Sequence, residues 1–434
     1  MSAVSGTFRS LKYPNFRLYF VGQSLSLIGT WMERIAVNWL VYSLTHSALM
    51  LGVVNFAGQI PTLLLSPYGG VITDRHSRYK ILLTTQICAM VQASIMTTLV
   101  LTHTYNIAAI IGLSIILGII NAFDTPARQS LMIKLIDDKS DLQNAIALNS
   151  SMVNVARLLG PAIAGILLTT VGTGICFLVN ALSFVAVIVS ILLMKLKPEL
   201  PARIVGSVWD GLKSGYKYLQ GEHNLKLIIL LMACTSFFTM TYSTLMPVFA
   251  KEIFHGNAGT YSLLNSLSGL GALMGAIYMA TLKSTKNLKR VIIYSSALCG
   301  TSIAIFAWCT QLWLALGFIA LSGLGMMIQI AGTNTFVQTN VAPQMRGRVI
   351  SYYVMAFMGM QPIGSFLAGL AAHHLSPRIV VFVQGVCGLI SAIAFGVLFK
   401  RDAIKKLSMQ QNYHLQAHYL VRLISSCLYH RKSA

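Results

Sequence analysis

Three ionisable side chains interrupt stretches of sequence that are otherwise apolar. Glu33 and Arg34 are adjacent in GTWMERIAVNWL, and Arg157 lies in NSSMVNVARLLGP. Where an apolar stretch crosses a bilayer, such groups usually face a cavity or one another, and they mark the paths of ions, protons or ligands. We therefore predict that Glu33, Arg34 and Arg157 meet water, a ligand or one another inside a helical bundle.

Glu33 has two candidate roles and one alternative position. Among the 11 Asp and Glu residues it alone lies well within an apolar stretch. It could bind a proton on one side of a membrane and release it on the other, because burial and a nearby guanidinium act in opposite directions on its protonation. It could instead neutralise Arg34 or Arg157 in a structural ion pair. It could also lie near the outer interface, where a long side chain reaches water.

Polar residues at helical spacing surround these charges. A helix that advances about 100° per residue places four residues of the first stretch on one arc bordered by Arg34, namely Gln23, Ser26, Thr30 and Glu33. In the fifth stretch three residues share one face, namely Ser150, Asn154 and Arg157. Other stretches offer further candidates for a cavity wall, namely Asn55, Gln59, Thr235, Thr239, Tyr242, Gln329 and Thr333. Each of these alone is also compatible with ordinary packing.

The composition identifies the surroundings of these residues as a membrane. Of 434 residues, 55% are hydrophobic and 10% are charged, whereas about a quarter of a soluble domain is charged. We count twelve apolar stretches near or above the roughly 20 residues that cross a bilayer. They are 16–44, 48–72, 79–102, 106–123, 144–170, 174–195, 225–250, 260–282, 291–310, 312–334, 349–372 and 378–399. Because backbone polar groups need partners in hydrocarbon, these stretches predict an all-α protein of twelve transmembrane helices.

The net charge of +21 does not indicate nucleic-acid binding. If the N-terminus is inside, nearly all of the 32 Lys and Arg residues fall in inside connections or the tail, and Lys251 and Arg378 fall outside. This distribution follows the positive-inside rule. It predicts that both termini are cytoplasmic.

The most polar internal break divides the chain into two pseudo-symmetric halves. We predict a six-helix half over 1–195, a cytoplasmic loop over 196–223, a second six-helix half over 224–400 and a basic tail over 401–434. Repeated halves with a binding site between them are typical of secondary transporters. The tail could form an amphipathic helix on the inner leaflet or remain irregular.

The connection between the second and third helices carries a charged motif. It reads GVITDRHSRYK, from Gly70 to Lys80, and it resembles the pattern G-x-x-x-D-R-x-G-R-x-K of the major facilitator superfamily. Ser77 stands where that family prefers Gly, which we expect to weaken a tight turn. The fifth helix contains ARLLGPAIAG, which resembles the Gly-Pro motif of efflux members of the family.

Three further segments narrow the resemblance. TWMERIAVNWLVY, NAFDTPARQSLM and NSSMVNVARLLGP are similar to the subgroup that contains the bacterial enterobactin exporter. The resemblance implies a secondary active transporter in the bacterial inner membrane. It implies export of a small molecule such as a siderophore by alternating access. The residues add two expectations: Glu33 would couple export to protons, and two arginines against one carboxylate favour an anionic or polyhydroxylated substrate. A multidrug or macrolide-type efflux carrier, or a non-transporting sensor or scaffold on the same fold, are the alternatives.

The resemblance and the charges together assign residues to roles. Glu33 is the proton-coupling candidate. The substrate-binding candidates are Arg34, Arg157, Asn154, Thr30, Gln59, Thr239, Tyr242 and Gln329. The gating candidates are Gly70, Asp74, Arg75, Arg78, Gly160 and Pro161. Asp74 would dock on the positive end of a helix of the opposite half and release it when the halves rock, although the cations of this connection could merely set topology. Gly160 and Pro161 could form a hinge or serve helix packing alone.

Other classes of function lack their sequence signals. The chain has no phosphate-binding G-x-x-x-x-G-K-[ST] loop, no H-E-x-x-H and no G-x-S-x-G, so we do not expect an enzyme or an ATP-driven pump. The seven cysteines have no metal-ligand spacing, and we expect no metal and no cofactor. The expected partners are a small-molecule substrate, protons and the lipid bilayer, with no nucleic acid, for a protein that is a monomer.

Overall fold

The computed structural model describes residues 8–196, 208–282, 284 and 287–401, and within these residues it contains helices and no β-strand. Twelve long helices follow one another along the described chain. They are α1 Pro14–Thr45, α2 Ala48–Arg75, α3 Arg78–Leu101, α4 Ile107–Lys134, α5 Leu142–Thr170, α6 Thr173–Leu192, α7 His223–Ile253, α8 Ala258–Thr281, α9 Leu288–Trp308, α10 Leu312–Asn340, α11 Arg346–His374 and α12 Pro377–Arg401. The helix considered for the tail lies beyond Arg401, outside the described residues.

Eleven of these helices are long and apolar enough to cross a membrane. The remaining one, α1, has lower apolar content because it carries Glu33, Arg34 and several amide and hydroxyl side chains. Its 32 residues still extend about 48 Å at a rise of about 1.5 Å per residue, more than the roughly 30 Å of a hydrocarbon core. The predicted all-α membrane fold of two six-helix halves is confirmed.

Helix ends depart from the predicted spans because hydrogen bonding continues past the apolar residues. The fourth span was predicted to end at residue 123, whereas α4 continues to Lys134. Its start is fixed by Asn106, whose side-chain oxygen accepts bonds from two backbone N–H groups of the first turn. Within α7 the α-helical part ends at Phe238 and a 3₁₀ segment follows over Met240–Leu245.

A helix that hydropathy did not reveal lies inside the loop predicted over 196–223. This connecting helix, Val208–Gly221, is amphipathic rather than apolar, which is why it resembles a polar break in the sequence. Tyr352 of α11 donates its hydroxyl hydrogen to the carbonyl of Leu212 at 3.0 Å. The backbone N–H of Ala342 donates to the hydroxyl of Tyr218 at 3.3 Å. The connecting helix is therefore attached to the second half.

The halves meet at one end of the bundle and separate at the other. We call the end with Arg9 and Arg75 the basic end, and the end with Lys251 and Arg378 the far end. One large apolar cluster joins both halves toward the far end and includes Val41, Leu51, Phe249 and Phe306. Toward the basic end there are two separate clusters, one of the first half, including Phe16 and Leu82, and one of the second half, including Leu225 and Val337. The space between the halves is thus closed at the far end.

Close backbone contacts and one polar bond hold the far end together. A Cβ atom added to Gly369 of α11 would lie 2.9 Å from the Cα atom of Gly52 of α2, so the two helices touch through their backbones. A Cβ atom on Gly165 of α5 would lie 2.6 Å from the Ser262 side chain of α8. Across the same end, the Tyr42 hydroxyl donates a hydrogen bond to Glu252.

Adjacent glycines of α2 differ in what surrounds them. A Cβ atom on Gly69 would lie 2.2 Å from the carbonyl oxygen of Ala122, whereas Gly70 has nothing within 4 Å of that position. The close approach of α2 and α4 therefore depends on Gly69. Gly70, a gating candidate, has open space where a side chain would begin.

The segment before α1 is anchored by Asp141, in the connection between α4 and α5. Lys12 lies 2.7 Å from the Asp141 carboxylate, the Tyr13 hydroxyl donates to it at 2.9 Å, and Arg9 forms an ion pair with it. The hydrogen bond from Lys12 is the main cause that holds the pKa of Asp141 below its usual value. Three side chains near the N-terminus thus converge on one carboxylate.

We predict that Gly69→Ala lowers the thermal stability of the purified protein in detergent, because the new methyl group must separate α2 from α4. Gly70→Ala is the matched control, because its new methyl group meets open space. We expect it to leave the midpoint temperature unchanged or to raise it, since Ala is more favourable than Gly in a helix by roughly 0.5–1 kcal/mol of folding free energy. Equal midpoints for the two variants would contradict this account of α2–α4 packing.

We predict that Asp141→Asn destabilises the protein at neutral pH and that this difference disappears in acid. A carboxyl group whose pKa is lowered by folding contributes stability above its unfolded pKa of about 3.9, and this contribution is lost as the pH falls through the folded pKa. Thermal unfolding in detergent between pH 7 and pH 3 measures the effect. Asp137→Asn, at an exposed position of the same connection, serves as the control, and a pH-independent deficit in Asp141→Asn would refute the assignment.

Candidate functional site

Two guanidinium groups lie against one indole ring between the halves. The Arg34 Cζ atom is 5.6 Å from the centroid of the Trp31 ring, and the Arg157 Cζ atom is 5.5 Å from it. Both distances are typical of cation–π contacts. We call Arg34, Arg157 and Trp31 the two-arginine site. The predicted convergence of the two arginines is therefore observed, with Trp31 between α1 and α5 as their common neighbour.

Helical spacing and one glycine bring this site together. Trp31 and Arg34 are three residues apart on α1, and Arg157 and Gly160 are three residues apart on α5, so each pair shares a helix face. A Cβ atom on Gly160 would lie 2.5 Å from Trp31 Cβ and 3.0 Å from the carbonyl of Ile28. The Gly-Pro motif thus lets α1 and α5 approach until both arginines reach the same ring, and α5 remains helical through Pro161.

The site also contacts the second half. Arg157 donates from Nη2 to the thioether sulfur of Met326 on α10 at 3.7 Å. The Arg34 guanidinium lies within electrostatic range of Tyr261 on α8. Arg34 is nevertheless exposed and Arg157 half-buried, although both are well inside their helices. The two side chains therefore face the space between the halves.

No carboxylate neutralises these two cations among the residues that the structure describes. Neither Arg34 nor Arg157 is in an ion pair. The described acidic residues outside α1 lie elsewhere. Glu252 is at the far end, Asp124 is inside the first half, and the others are at the basic end. The space between the halves consequently carries two positive charges, which attract an anion.

Glu33 does not face the two-arginine site. Its side chain is 2% exposed, and Oε2 accepts a hydrogen bond from Asn180 Nδ2 of α6 at 2.5 Å. A Cβ atom on Gly29 would lie 2.5 Å from the Asn180 side-chain oxygen, so this glycine admits α6. The expectation that Glu33 meets Arg34 or Arg157 is wrong for this conformation, because adjacent residues on a helix point about 100° apart. The alternative of a structural ion pair with either arginine is excluded here as well.

The polar arc predicted on α1 exists but packs inside the first half. Gln23 and Ser26 are 3% and 2% exposed, and the Thr30 hydroxyl donates to the Ser26 carbonyl at 2.9 Å. Asn154, predicted to face the cavity from α5, is also buried and donates to the Ser150 carbonyl at 2.9 Å. Thr30 and Asn154 thus bond to carbonyls of their own helices, whereas the Gln23 side-chain oxygen is buried without a hydrogen-bond partner among the described residues.

Two of the candidates on α7 and α10 are fully buried in the second half. Thr239 and Gln329 are both 0% exposed. Gln329 donates to the Thr235 hydroxyl at 2.7 Å, and Thr235 is 3.2 Å from the Ser296 hydroxyl of α9. The sequence placed both on the cavity wall, but in this conformation Gln329 joins α10 to α7, and Thr239 donates to the Thr235 carbonyl of its own helix at 2.7 Å.

Tyr242 of α7 and Gln59 of α2 are the two remaining substrate-binding candidates. The Tyr242 hydroxyl lies 3.1 Å from Ser268 of α8 and 3.2 Å from Ser322 of α10, and it is within electrostatic range of Arg157. Gln59 of α2 is half-buried and donates to the Asn55 carbonyl at 3.4 Å. Tyr242 is thus the substrate-binding candidate of the second half that approaches the two-arginine site.

The charged motif at the basic end forms a local cap rather than a tight turn. Asp74 is 3.9 Å from Arg78, and its side chain is 40% exposed. Ser77 has an ordinary extended backbone, and its hydroxyl accepts from the N–H of Lys80 as the N-cap of α3. The expected weakening of a glycine turn is wrong, because this position requires no positive φ and Ser is a favoured N-cap. Arg75 is the last residue of α2 and is exposed.

Sequence reasoning missed Trp31, Asn180 and the full burial of Asp124. Asp124 is 5% exposed, accepts from Gln86 at 2.7 Å and Thr85 at 3.1 Å, and pairs with Arg128 at 3.2 Å. Asn180 could have been noticed as an amide within an apolar span. Trp31 has no such signal, because its role depends on the register of α1 against α5.

Proteins of known function resemble this chain over nearly its full length. A staphyloferrin A transporter of Staphylococcus aureus is 27% identical over 92% of this chain and 99% of its own length. A macrolide efflux protein A of Streptococcus pyogenes is 22% identical over 88% and 98%. The enterobactin exporter EntS of Citrobacter koseri is 24% identical over 89% and 93%.

The fold is shared with solved transporters. A bacterial homologue of the human lysosomal transporter Spinster, solved in an inward-facing and unoccupied conformation, superposes with a TM-score of 0.71 over 90% of this chain and 98% of that chain, at 13% identity. Residues 5–426 match the family described as transmembrane secretion effector. The chain therefore belongs to the transmembrane secretion effector family of the major facilitator superfamily, whose members are transporters and not enzymes.

Proposed function

We propose that this protein exports a small anionic or polyhydroxylated molecule, such as a siderophore, across the bacterial inner membrane. The observation that carries the proposal is the two-arginine site, where two guanidinium groups lie in the space between the halves with no carboxylate of the described residues paired to them. Charged side chains deep inside a membrane bundle are costly and mark ligand or ion pathways, so a site of this kind is best explained by an anionic ligand that completes it. The names of the staphyloferrin A and enterobactin relatives support this class.

A macrolide or multidrug efflux carrier is the second candidate, favoured by the relative of that name. A non-transporting sensor or scaffold on the same fold is the third. The uncompensated positive charge favours an anion over a neutral or cationic drug.

Comparing the small molecules retained by cells that lack the protein with those released on its overproduction, with and without a proton uncoupler, tests all three candidates. If no molecule is released, the non-transporting sensor or scaffold is the one candidate function that remains.

We propose alternating access between this conformation and one open at the far end. The two predicted halves, 1–195 and 224–400, would move as units, and the far-end apolar cluster would separate. In this conformation Asp74 is partly exposed and paired with Arg78. In the other conformation it would dock on the N-terminus of α11, with Gly160 and Pro161 adjusting the contact of α1 and α5.

Coupling to protons is proposed to run through Glu33. Its Oε1 atom is buried without a hydrogen-bond partner among the residues that the structure describes, and the Asn180 amide that contacts Oε2 carries no charge. A proton on Oε1 would neutralise the group inside the first half. Because Arg34 is the next residue on α1, a movement of this helix that exposes Glu33 would also move the two-arginine site.

We expect Glu33→Gln to abolish uphill export driven by a pH gradient in proteoliposomes, since an amide keeps the shape of the side chain but cannot bind the proton. Movement of the same molecule down its own gradient should remain. Glu222→Gln, an exposed carboxyl group outside the helices' interior, is the matched control and should be fully active. Retention of gradient-driven export in Glu33→Gln would remove Glu33 from coupling.

We also propose that both termini are cytoplasmic, that the basic end is therefore the inner end, and that the protein is a monomer. Single cysteines introduced at Arg9 and at Arg378 into a cysteine-free variant should report this orientation. A membrane-impermeant maleimide added to intact cells should label the cysteine at position 378 and spare the one at position 9. The reverse pattern would invert the orientation.

A further inference from the structure

We infer that Trp31 is a positioning residue that holds Arg34 and Arg157 as a single site for a dianion, so the ligand class is a molecule with two negative groups. This inference rests on the proposed export of an anion and specifies it further. The observation behind it is that one indole ring contacts both guanidinium groups, at 5.6 Å and 5.5 Å.

The geometry limits how far apart the two charges can be. Since each Cζ atom lies within 5.6 Å of the same ring centroid, the two are no more than about 11 Å apart. Two like charges at such a distance repel each other. A small molecule with two anionic groups can reach both guanidinium groups at once, whereas a monoanion neutralises one and leaves the other unpaired.

The contacts of the two arginines keep them available to a ligand. Arg34 contacts Trp31, and Arg157 contacts Trp31 and the Met326 sulfur. A ring face and a thioether orient a guanidinium group, but they occupy few of its five N–H donors. The remaining donors suit the paired oxygens of carboxylates or similar groups, which guanidinium binds in a bidentate manner.

Glu33 forms no ion pair with either arginine in this conformation. Its carboxyl group is bonded to Asn180 and buried in the first half. Both guanidinium groups therefore remain available to a ligand. A ligand bound here would also meet the second half, because Tyr242 and Tyr261 lie within electrostatic range of the two arginines.

The base of the Trp31 side chain packs closely against α5, since a Cβ atom added to Gly160 would lie 2.5 Å from the Trp31 Cβ atom. Its ring contacts both guanidinium groups. These contacts restrict where the Trp31 side chain can lie, and restricting a binding group in advance lowers the entropy that binding must overcome. Phe at this position retains an aromatic face, whereas Leu removes it.

The test measures binding to the full-length protein purified in detergent, by calorimetry at pH 7. The probes are dicarboxylates of increasing spacing, from malonate to adipate, and butyrate as the monocarboxylate. We expect at least one dicarboxylate to bind tenfold or more tightly than butyrate. Arg34→Gln and Arg157→Gln should each reduce this preference to less than threefold. Equal affinities for butyrate and every dicarboxylate, or binding of none of them, would overturn the dianion site.

The role of Trp31 is tested by a pair of variants. Trp31→Leu should lower dicarboxylate affinity about tenfold and flatten its dependence on salt, with little change for butyrate, and Trp31→Phe should restore most of the loss. Trp313→Leu, at a surface position that is 82% exposed, controls for loss of a Trp. An unchanged preference in Trp31→Leu, or no rescue by Trp31→Phe, would reject the positioning role. Because binding is measured without transport, failure of export and failure of this site are separate outcomes.

Discussion

Two positive charges held inside a membrane bundle, with no carboxylate of the described residues paired to them, are the constraint on which the rest of this structure depends. Ionised groups at such depth are tolerated only where they face water, a partner or a ligand. Arg34 and Arg157 meet this condition because α1 and α5 approach closely at Gly160 and direct both side chains into the space between the halves. The helix contacts, the separation of the halves and the chemistry of the ligand are therefore linked at this point.

The apolar clusters are arranged differently at the two ends of the bundle. At the far end, side chains of both halves form one continuous cluster, and Gly52 and Gly369 bring α2 and α11 into backbone contact. At the basic end each half has a cluster of its own. Each half can thus stay packed while the contact between them changes, which is what rigid-body rocking around a central site requires.

The class of fold and the two arginines could be predicted from the sequence because the signals are local. Apolar length identifies a membrane helix, and a charge within such a length stands out. The direction of Glu33 could not be predicted, because it depends on the rotation of α1 set by Gly29 against Asn180. The burial of Thr239 and Gln329 was missed for a similar reason, since hydroxyl and amide groups on a helix can bond to a neighbouring helix, or to a carbonyl one turn earlier, as readily as line a cavity. The connecting helix Val208–Gly221 was missed because hydropathy detects apolar length and not amphipathic pattern.

The sealed far end has an electrical consequence. Water that enters from the open end brings the potential of that compartment up to the two-arginine site, so most of a voltage across the membrane falls over the apolar cluster that includes Val41 and Phe306. Moving one elementary charge through 100 mV involves about 2.3 kcal/mol. When the seal shifts from one side of the site to the other, an empty pair of guanidinium groups moves through that field with charge +2, whereas a pair occupied by a dianion moves as a neutral unit. Voltage would then act on the return of the empty carrier and not on the loaded step.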